Sequence, residues 1–448
     1  MDRRALITLV SCCLAFVSTT TLRDLSRPDT ETVDFLQSLQ DEVEQEFDRE
    51  IQFDQDESFP VTDPVDPLTA LNANYSDLLF EGDIRLSHEA ILSLQGDHRS
   101  RRQAVRAPNL LWRDGVPYTL GEGLSATKRK VIREAIAFWN RETCVNFRAR
   151  GTEDHYLYFV GHDQGCWSTV GRDKKQTQQW ISIGDGCQLF GIAAHEIGHA
   201  LGVMHQQSRP DRDDFVSIMW SRIKRKVEGN FAKARTTNTY DLPYDYGSVM
   251  HYGPTSFANN PKTHTISAKD ANYLLTMGNR EGPSFLDVAL VNKLYSCQDR
   301  CPDIGCENGG YPDSRNCGVC KCAPVFTGTY CELPWFGPSS CGGSETVTEE
   351  WQTFDRKVVK DQHCIFHFEA PEGSKVEFDL EKVDGLCNYG CYEDRVEFRV
   401  DRDRLSTGYR FCCPVNPSRR FTADSSSAPV ILKSTKNQTS VLFRYRAV

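Results

Sequence analysis

Cysteine is missing from residue 14 to residue 143 of this 448-residue chain, which excludes a disulfide-stapled fold for its N-terminal part. Long apolar runs are missing too. Residues 5–17 form one, but it falls short of the ~20 residues needed to cross a hydrocarbon layer of ~30 Å. No later stretch is long enough, so no membrane span is expected. A concentrated basic surface is also lacking. The formal net charge is -10, which argues against nucleic acid as a partner, because phosphate binding needs clustered Lys and Arg. Much of the acid sits between Asp41 and Glu57, ahead of any residues suited to chemistry. The length exceeds what one hydrophobic core usually serves, so several domains are expected.

What is present points to export. Arg3 and Arg4, the apolar run, and then Ser18, Thr19 and Thr20 read as a signal peptide over 1–20. Its loss removes Cys12 and Cys13 and leaves sixteen of eighteen cysteines. An even, clustered set in an exported chain implies disulfides. The sequons at Asn74 and Asn437 fit a secreted, extracellular chain as glycosylation acceptors. Residues 21–102 are acidic, carry Pro-rich spacers at Phe59-Pro60 and Asp63-Pro64-Val65-Asp66-Pro67, and end in Arg99-Ser100-Arg101-Arg102. A solvated charge run is the plain reading of that cluster. In an exported chain the sharper one is a processing site between Arg102 and Gln103, with a pro-segment over 21–102.

Beyond Gln103 the pattern is that of folded domains. Ser125 and the recurrence of Val131, Ala135 and Phe138 predict a helix over 126–143. Residues 156–160 predict a short strand, and 191–201 a second helix that stops at Gly202. Six cysteines between Cys301 and Cys331, with several glycines and little core, mark a piece that folds because bridges staple it. From Cys341 onward apolar and polar residues alternate, as in Val376/Phe378/Leu380, Val396/Phe398/Val400 and Val441/Phe443/Tyr445. That alternation predicts an all-β sandwich.

The chemistry concentrates in His195-Glu196-Ile197-Gly198-His199. Histidines four apart lie on one helix face, one turn apart, so both reach a single metal ion, and Glu196 points beside them toward a water on it. Paired surface histidines would satisfy the same short pattern. The continuation removes that alternative: Gly202 follows three residues after His199, and His205 three after Gly202. A helix continued through 205 would carry that residue away, whereas a glycine with positive φ ends the helix and brings His205 in from another side. Three nitrogen ligands with one position left for water suit a catalytic zinc rather than a structural one.

With Met250 downstream in Tyr246-Gly247-Ser248-Val249-Met250-His251-Tyr252, the pattern resembles the metzincin signature. Within that class it is similar to the astacin family. The residues that carry the similarity are Tyr252, Arg209-Pro210-Asp211-Arg212-Asp213, Cys166-Trp167-Ser168, Glu142-Thr143-Cys144-Val145-Asn146-Phe147, and Asp287-Val288-Ala289 leading to Cys297. The resemblance covers 103–297 and implies an α+β zinc metallopeptidase domain holding one Zn2+ through His195, His199 and His205. It makes Glu196 the general base and then acid, and Met250 the hydrophobic floor below the metal. Tyr252 becomes a further ligand that swings away to hydrogen-bond the oxyanion. It also pairs Cys144 with Cys297 and Cys166 with Cys187. Phe80-Glu81-Gly82-Asp83-Ile84 resembles the family's latency motif, which implies that Asp83 is the zinc ligand of a zymogen. Two positions depart from the family pattern. Gln206 stands where glutamate often contacts the new N-terminus, and Val203 where an aromatic is common.

Residues 298–332, with Glu307-Asn308-Gly309-Gly310-Tyr311, resemble an EGF-like module, which implies the pairs Cys301–Cys317, Cys306–Cys320 and Cys322–Cys331. No calcium-binding acidic cluster precedes Cys301. Residues 341–448 resemble a CUB domain, which implies Cys341–Cys364. Cys387, Cys391, Cys412 and Cys413 exceed the usual two, and their pairing stays open. The chain thus reads as a multidomain, secreted zinc endopeptidase made as a latent zymogen. Its expected partners are extracellular protein substrates, with matrix or cell-surface binding through the EGF-like and CUB modules. A silent adhesion protein would be expected to have lost the base or a ligand, whereas every expected residue is present. A structural zinc module would want a fourth protein ligand and has no use for Glu196. The physiological substrate is left open.

Overall fold

The computed structural model describes residues 30–47, 65–75, 78–95, 110–161, 165–234 and 238–448. The expected signal peptide and the Arg102–Gln103 processing site lie outside them. The N-terminal segment contributes α1 (Thr30–Phe47), α2 (Pro67–Leu71), β1 (Ile84–Arg85) and α3 (His88–Gln95). Next come β2 (Val116–Leu120), α4 (Ala126–Glu142), β3 (Phe147–Ala149), β4 (Tyr156–Val160), β5 (Cys166–Thr169), β6 (Gln178–Ile183) and α5 (Phe190–Ala200). Ser125 caps α4 by accepting from Lys128 N, and Val131, Ile132, Ala135, Ile136 and Trp139 form its buried stripe. That stripe packs on α5, where Trp139 Nε1 donates to Ala194 O at 3.1 Å.

The six-stranded sheet runs in the order β1-β5-β6-β4-β2-β3. Its body is parallel, β5 is antiparallel to β6, and β1 extends the β5 edge in parallel. The N-terminal segment therefore supplies the edge strand of the sheet that carries the candidate site. Past α5 the chain is largely irregular. It is held by the antiparallel pair β7 (Val216–Ile218) and β8 (Ile266–Ala268), and by α6 (Phe285–Leu294) with a Ser284/Asp287 capping box. Bridges join Cys144 to Cys297 and Cys166 to Cys187.

The cysteine-rich module has two small antiparallel pairs, β9 (Tyr311–Asp313) with β10 (Asn316–Lys321), and β11 (Phe326–Thr327) with β12 (Leu333–Pro334). Its bridges are 301–317, 306–320 and 322–331. Its few apolar side chains, Ala323, Val325 and Phe326, cluster with Ile365 and Ile431 of the C-terminal domain. A module with little core of its own thus borrows one from its neighbour.

The C-terminal domain is a sandwich of β13 (Gly343–Thr346), β14 (Gln352–Val359), β15 (Gln362–Glu369), β16 (Val376–Asp384), β17 (Asp394–Phe398), β18 (Tyr409–Phe411), β19 (Arg419–Thr422), β20 (Ser427–Ser434) and β21 (Gln438–Ala447). The sheets run β13-β15-β20-β17-β18 and β14-β21-β16-β19. Between them Phe354, Phe368, Phe378, Phe398, Phe411 and Phe443 are fully buried. These are the inward positions of the period-two pattern. Cys341 pairs with Cys364, and the pairing left open in the sequence is Cys387–Cys413 and Cys391–Cys412.

Candidate metal centre

Helix α5 is buried along its length, and Ile192, Ala193, Ala194, Ile197 and Ala200 are fully enclosed. His195 and His199 share the remaining face. Gly202, at φ +99°, ends the helix, with Gly202 N and Val203 N bonding back to His199 O and Gly198 O at 2.8 and 3.0 Å. The chain reverses, and Gln206 N donates to Met250 O at 3.0 Å, which carries His205 into the site.

The three imidazoles are aimed from behind. His195 Nδ1 bonds to Val249 O and His199 Nδ1 to Val203 O, each at 2.8 Å. His205 Nδ1 meets the Glu81 carboxylate at 2.6 Å. With those nitrogens committed as donors, the Nε2 lone pairs of His195 and His199 face each other at 3.0 Å, an arrangement that calls for a cation between them. Asp83 Oδ2 lies 3.2 Å from both His195 Nε2 and His205 Nε2. One ligand atom from each of the four residues falls within 4.8 Å of the others. Three imidazole nitrogens and one carboxylate oxygen, all buried, fit a tetrahedral zinc ion.

The electrostatics follow from this crowding. Burial opposes ionised Asp83, but His205 and His199 hold its carboxyl well below the ordinary range. Burial is the main cause that pushes His195 down to about 3. Burial also opposes charged His205, yet Asp83 and Glu81 overcome it and push that imidazole up to about 9. Burial and the Asp83 charge raise Glu196 well above the carboxylate range, with Arg280 offsetting part of the effect. Among the described residues, neither Glu196 oxygen has a hydrogen-bond partner. A buried carboxyl group left without partners is costly.

Asp83 arrives on a tight loop. Phe80 and Ile84 exchange two backbone hydrogen bonds of 2.9 Å, with Glu81 and Gly82 at φ 48° and 75° between them. A Cβ at position 82 would lie 2.4 Å from Phe257 Cζ, so only glycine fits. Ser168 N donates to Asp83 O at 3.0 Å. The Tyr252 hydroxyl donates to the Glu81 carbonyl, so in this state Tyr252 is engaged by the N-terminal segment.

Met250 is buried beneath α5, where a Cβ added at Gly198 would come within 3.2 Å of its sulfur. Asp287 holds the surrounding turn by accepting from Ser248 Oγ at 2.5 Å, and from Val249 N and Ser284 N at 2.8 Å each. Burial and the nearby Asp245 push Asp287 up to about 6.

Three residues that sequence reasoning missed tie the segment and the turn together. Asp66, read only as part of a Pro-rich spacer, is buried. It caps α2 through Leu68 N and Thr69 N, and it accepts from Gly253 N at 2.7 Å, Ser256 Oγ at 3.1 Å and Arg280 Nη2 at 3.2 Å. Arg280 Nη1 donates in turn to Val249 O, His251 O and Asn279 O at 3.0, 3.2 and 2.9 Å. Asn72 brackets Cys166, donating to its carbonyl at 2.6 Å and accepting from its N–H at 2.8 Å. Asp before Pro at the first helical position was a readable cap signal. The distant partners were not readable. Of the other predicted positions, Asn74 and Asn437 are exposed, and Gln206 and Val203 are buried.

The family model described as Astacin, a peptidase family, matches residues 104–296, and a CUB domain model matches 341–446. The zinc metalloproteinase nas-29 of Caenorhabditis elegans is 37% identical over 483 residues, covering 99% of this chain and 90% of that protein. The zinc metalloproteinase nas-23 of the same organism is 40% identical over 404 residues, covering 86% and 75%. Among solved structures, high choriolytic enzyme 1, a hatching-enzyme zinc protease of the medaka Oryzias latipes, is 37% identical with a TM-score of 0.38, covering 42% of this chain and 92% of that one. Fold and donor set define a zinc metalloendopeptidase. The chain belongs to the astacin family and carries a CUB domain.

Proposed function

We propose that the chain is a secreted endopeptidase made as a latent zymogen. In this reading 1–20 is a signal peptide, 21–102 a pro-segment removed between Arg102 and Gln103, 103–297 the peptidase domain, 298–332 an EGF-like module and 341–448 the CUB domain. The observation that carries it is the buried, unpartnered Glu196 carboxylate beside a three-histidine centre whose fourth position holds Asp83. His195, His199 and His205 hold the metal in the active enzyme, and Asp83 takes the place of the reacting water before processing.

A zinc ion held by His195, His199 and His205 would supply a Lewis acid and would lower the pKa of a water to about 7. Once Asp83 withdraws, Glu196 has a water within reach, takes its proton and returns it to the leaving amine. Loss of the segment also releases the Tyr252 hydroxyl from the Glu81 carbonyl, leaving it to donate to the oxyanion that develops on the scissile carbonyl. Met250 packs below the site and keeps water from its underside. Extracellular proteins are the substrates, and Asn74 and Asn437 are the glycosylation acceptors.

Comparison of wild type with Glu196→Gln, both freed of the pro-segment, tests the reading. The variant keeps its zinc and loses ~10²-fold or more in peptide cleavage. A variant as active as wild type removes Glu196 from the chemistry, and an inert, zinc-loaded wild type removes the peptidase reading.

A further inference from the structure

The CUB domain does not hang free of the peptidase domain. Two close approaches, each at a glycine, bring them together. Gly390 of the sandwich sits where an added Cβ would lie 2.4 Å from Gly278 O, and a Cβ at Gly247 would lie 2.4 Å from Thr407 Cγ2. Polar groups that a loose tether would leave in water are committed across the junction. Thr407 N donates to Asp245 Oδ1 at 3.0 Å, Arg410 N donates to Thr276 Oγ1 at 3.0 Å, and Thr276 Oγ1 donates to Gly408 O at 3.1 Å. Tyr273 bonds Asp401 at 2.8 Å, and His264 bonds Tyr389 at 2.8 Å.

Glu281 of the peptidase domain is the charged centre of this junction. It pairs with Lys433, and with Arg395 at 2.9 Å, both from the outer face of the five-stranded sheet. Glu397, fully buried, sets those cations in place: it meets Arg395, Arg399 and Arg410 at 3.2, 2.9 and 3.0 Å. Such a network, mostly desolvated and multiply bonded, resists separation far more than surface pairs do.

The residues on either side of this grip lead to the metal centre. Asn279 Nδ2 donates to Gly247 O at 2.8 Å. Arg280 holds Val249 O, the same carbonyl that orients His195 Nδ1. The backbone of Arg280 lies directly on the first turn of α5, since a Cβ at Gly191 would come within 2.0 Å of Arg280 O. The tripeptide 279–281 is therefore held by the sandwich at one end and holds the Met250 turn and the zinc helix with the other two residues.

We infer that the CUB domain is a built-in positioning element of the peptidase centre, acting through Glu281. It clamps residues 245–252 and 276–281, so that undocking it loosens the Val249 carbonyl and with it His195. This inference rests on the peptidase reading. It predicts that the sandwich governs turnover even of a substrate too small to reach it.

The test undocks the sandwich from its own side, leaving the peptidase domain unaltered. Lys433→Glu reverses the charge facing Glu281, Gly390→Val blocks the backbone approach, and Lys433→Arg serves as the conservative control. In the processed, zinc-loaded chain, kcat for a hexapeptide falls about tenfold in the first two variants while KM stays within about twofold, and Lys433→Arg matches wild type. Independently of activity, hydrogen exchange of the metal-free chain shows faster exchange at the Val249 and Met250 amides together with that of Arg410. Faster exchange at Arg410 with kcat and the Val249 and Met250 amides unchanged would make the sandwich an independent arm and overturn the inference. A sandwich still docked in both variants overturns it as well, because the contacts named would not be those that hold it. An inert wild type sinks the peptidase reading instead, and the exchange result still decides the clamp.

Discussion

Two aspartates of the N-terminal segment reach the centre by different routes. Asp83 meets the histidines, whereas Asp66 meets Arg280, Gly253 and Ser256 without touching the metal position. Burial opposes ionised Asp66, but Arg280 and the donors Thr69 N, Gly253 N and Ser256 Oγ hold its carboxyl below the ordinary range. Removing one partner of such a pair costs about 3 kcal/mol, because the other charge stays buried. On the proposed latency, Asp66→Asn in the chain that keeps its N-terminal segment therefore weakens docking of that segment roughly 10²-fold. The expected result is measurable peptide cleavage before processing and faster nicking of residues 65–95 by an added protease. An unprocessed variant as silent and as resistant as wild type would leave Asp66 no role in latency. At this scale the sequence was legible where the signal was local. His195, Glu196, His199, Gly202 and His205 fall within eleven residues, and Phe80 to Ile84 within five. Asp66 was hidden because its partner Arg280 lies 214 residues away.

At the scale of elements, the turn that carries Met250 hangs on Asp287 at the start of α6. An aspartate pushed up to about 6 keeps its proton in the folded chain after the unfolded chain has lost it. Its contribution to stability is fully present below about pH 4 and is lost as pH rises to about 6. The loss amounts to roughly 3 kcal/mol. Asp287→Asn lacks this term. In metal-free chains, the thermal midpoint of wild type relative to the variant drops between pH 4 and pH 6.5. A difference that stays flat across that range contradicts the assignment. Helix α4 was legible from its Ser125 cap and apolar spacing, and α5 as a run that stops at Gly202, within a residue or two at each end. Strand β1 was not. Two residues carry no periodicity, and their place beside β5 is set by Asn72 and by the Asp83 loop rather than by propensity. The bridge Cys144–Cys297 ties the end of α4 to the chain just past α6 across 153 residues. Replacing both cysteines with serine is expected to lower stability by ~4–5 kcal/mol on the chain-entropy model, read by denaturant unfolding.

For the whole molecule, the N-terminal segment, the peptidase domain, the cysteine-rich module and the sandwich share surfaces rather than sit in a row. Arg315 reaches from the cysteine-rich module to Thr143 O and Val145 O at 2.7 Å each, beside the Cys144 bridge. The same module leans on Ile365 and Ile431 of the sandwich, and the sandwich grips Glu281. Domain identities were legible because cysteine spacing and period-two alternation are local patterns. Their docking was not, because it depends on glycines and charges more than a hundred residues apart, such as Gly278 against Gly390 and Glu281 against Lys433. One chain thus holds both a zinc peptidase centre and an N-terminal segment whose Asp83 stands among its three histidines. Cleavage of a short peptide should be compared between the intact chain and the same chain after removal of residues 21–102, with zinc content determined in both. No cleavage is expected before removal, and turnover after it. Cleavage by the intact chain, or a zinc-loaded chain still inert once the segment is gone, would contradict that pairing of centre and closure.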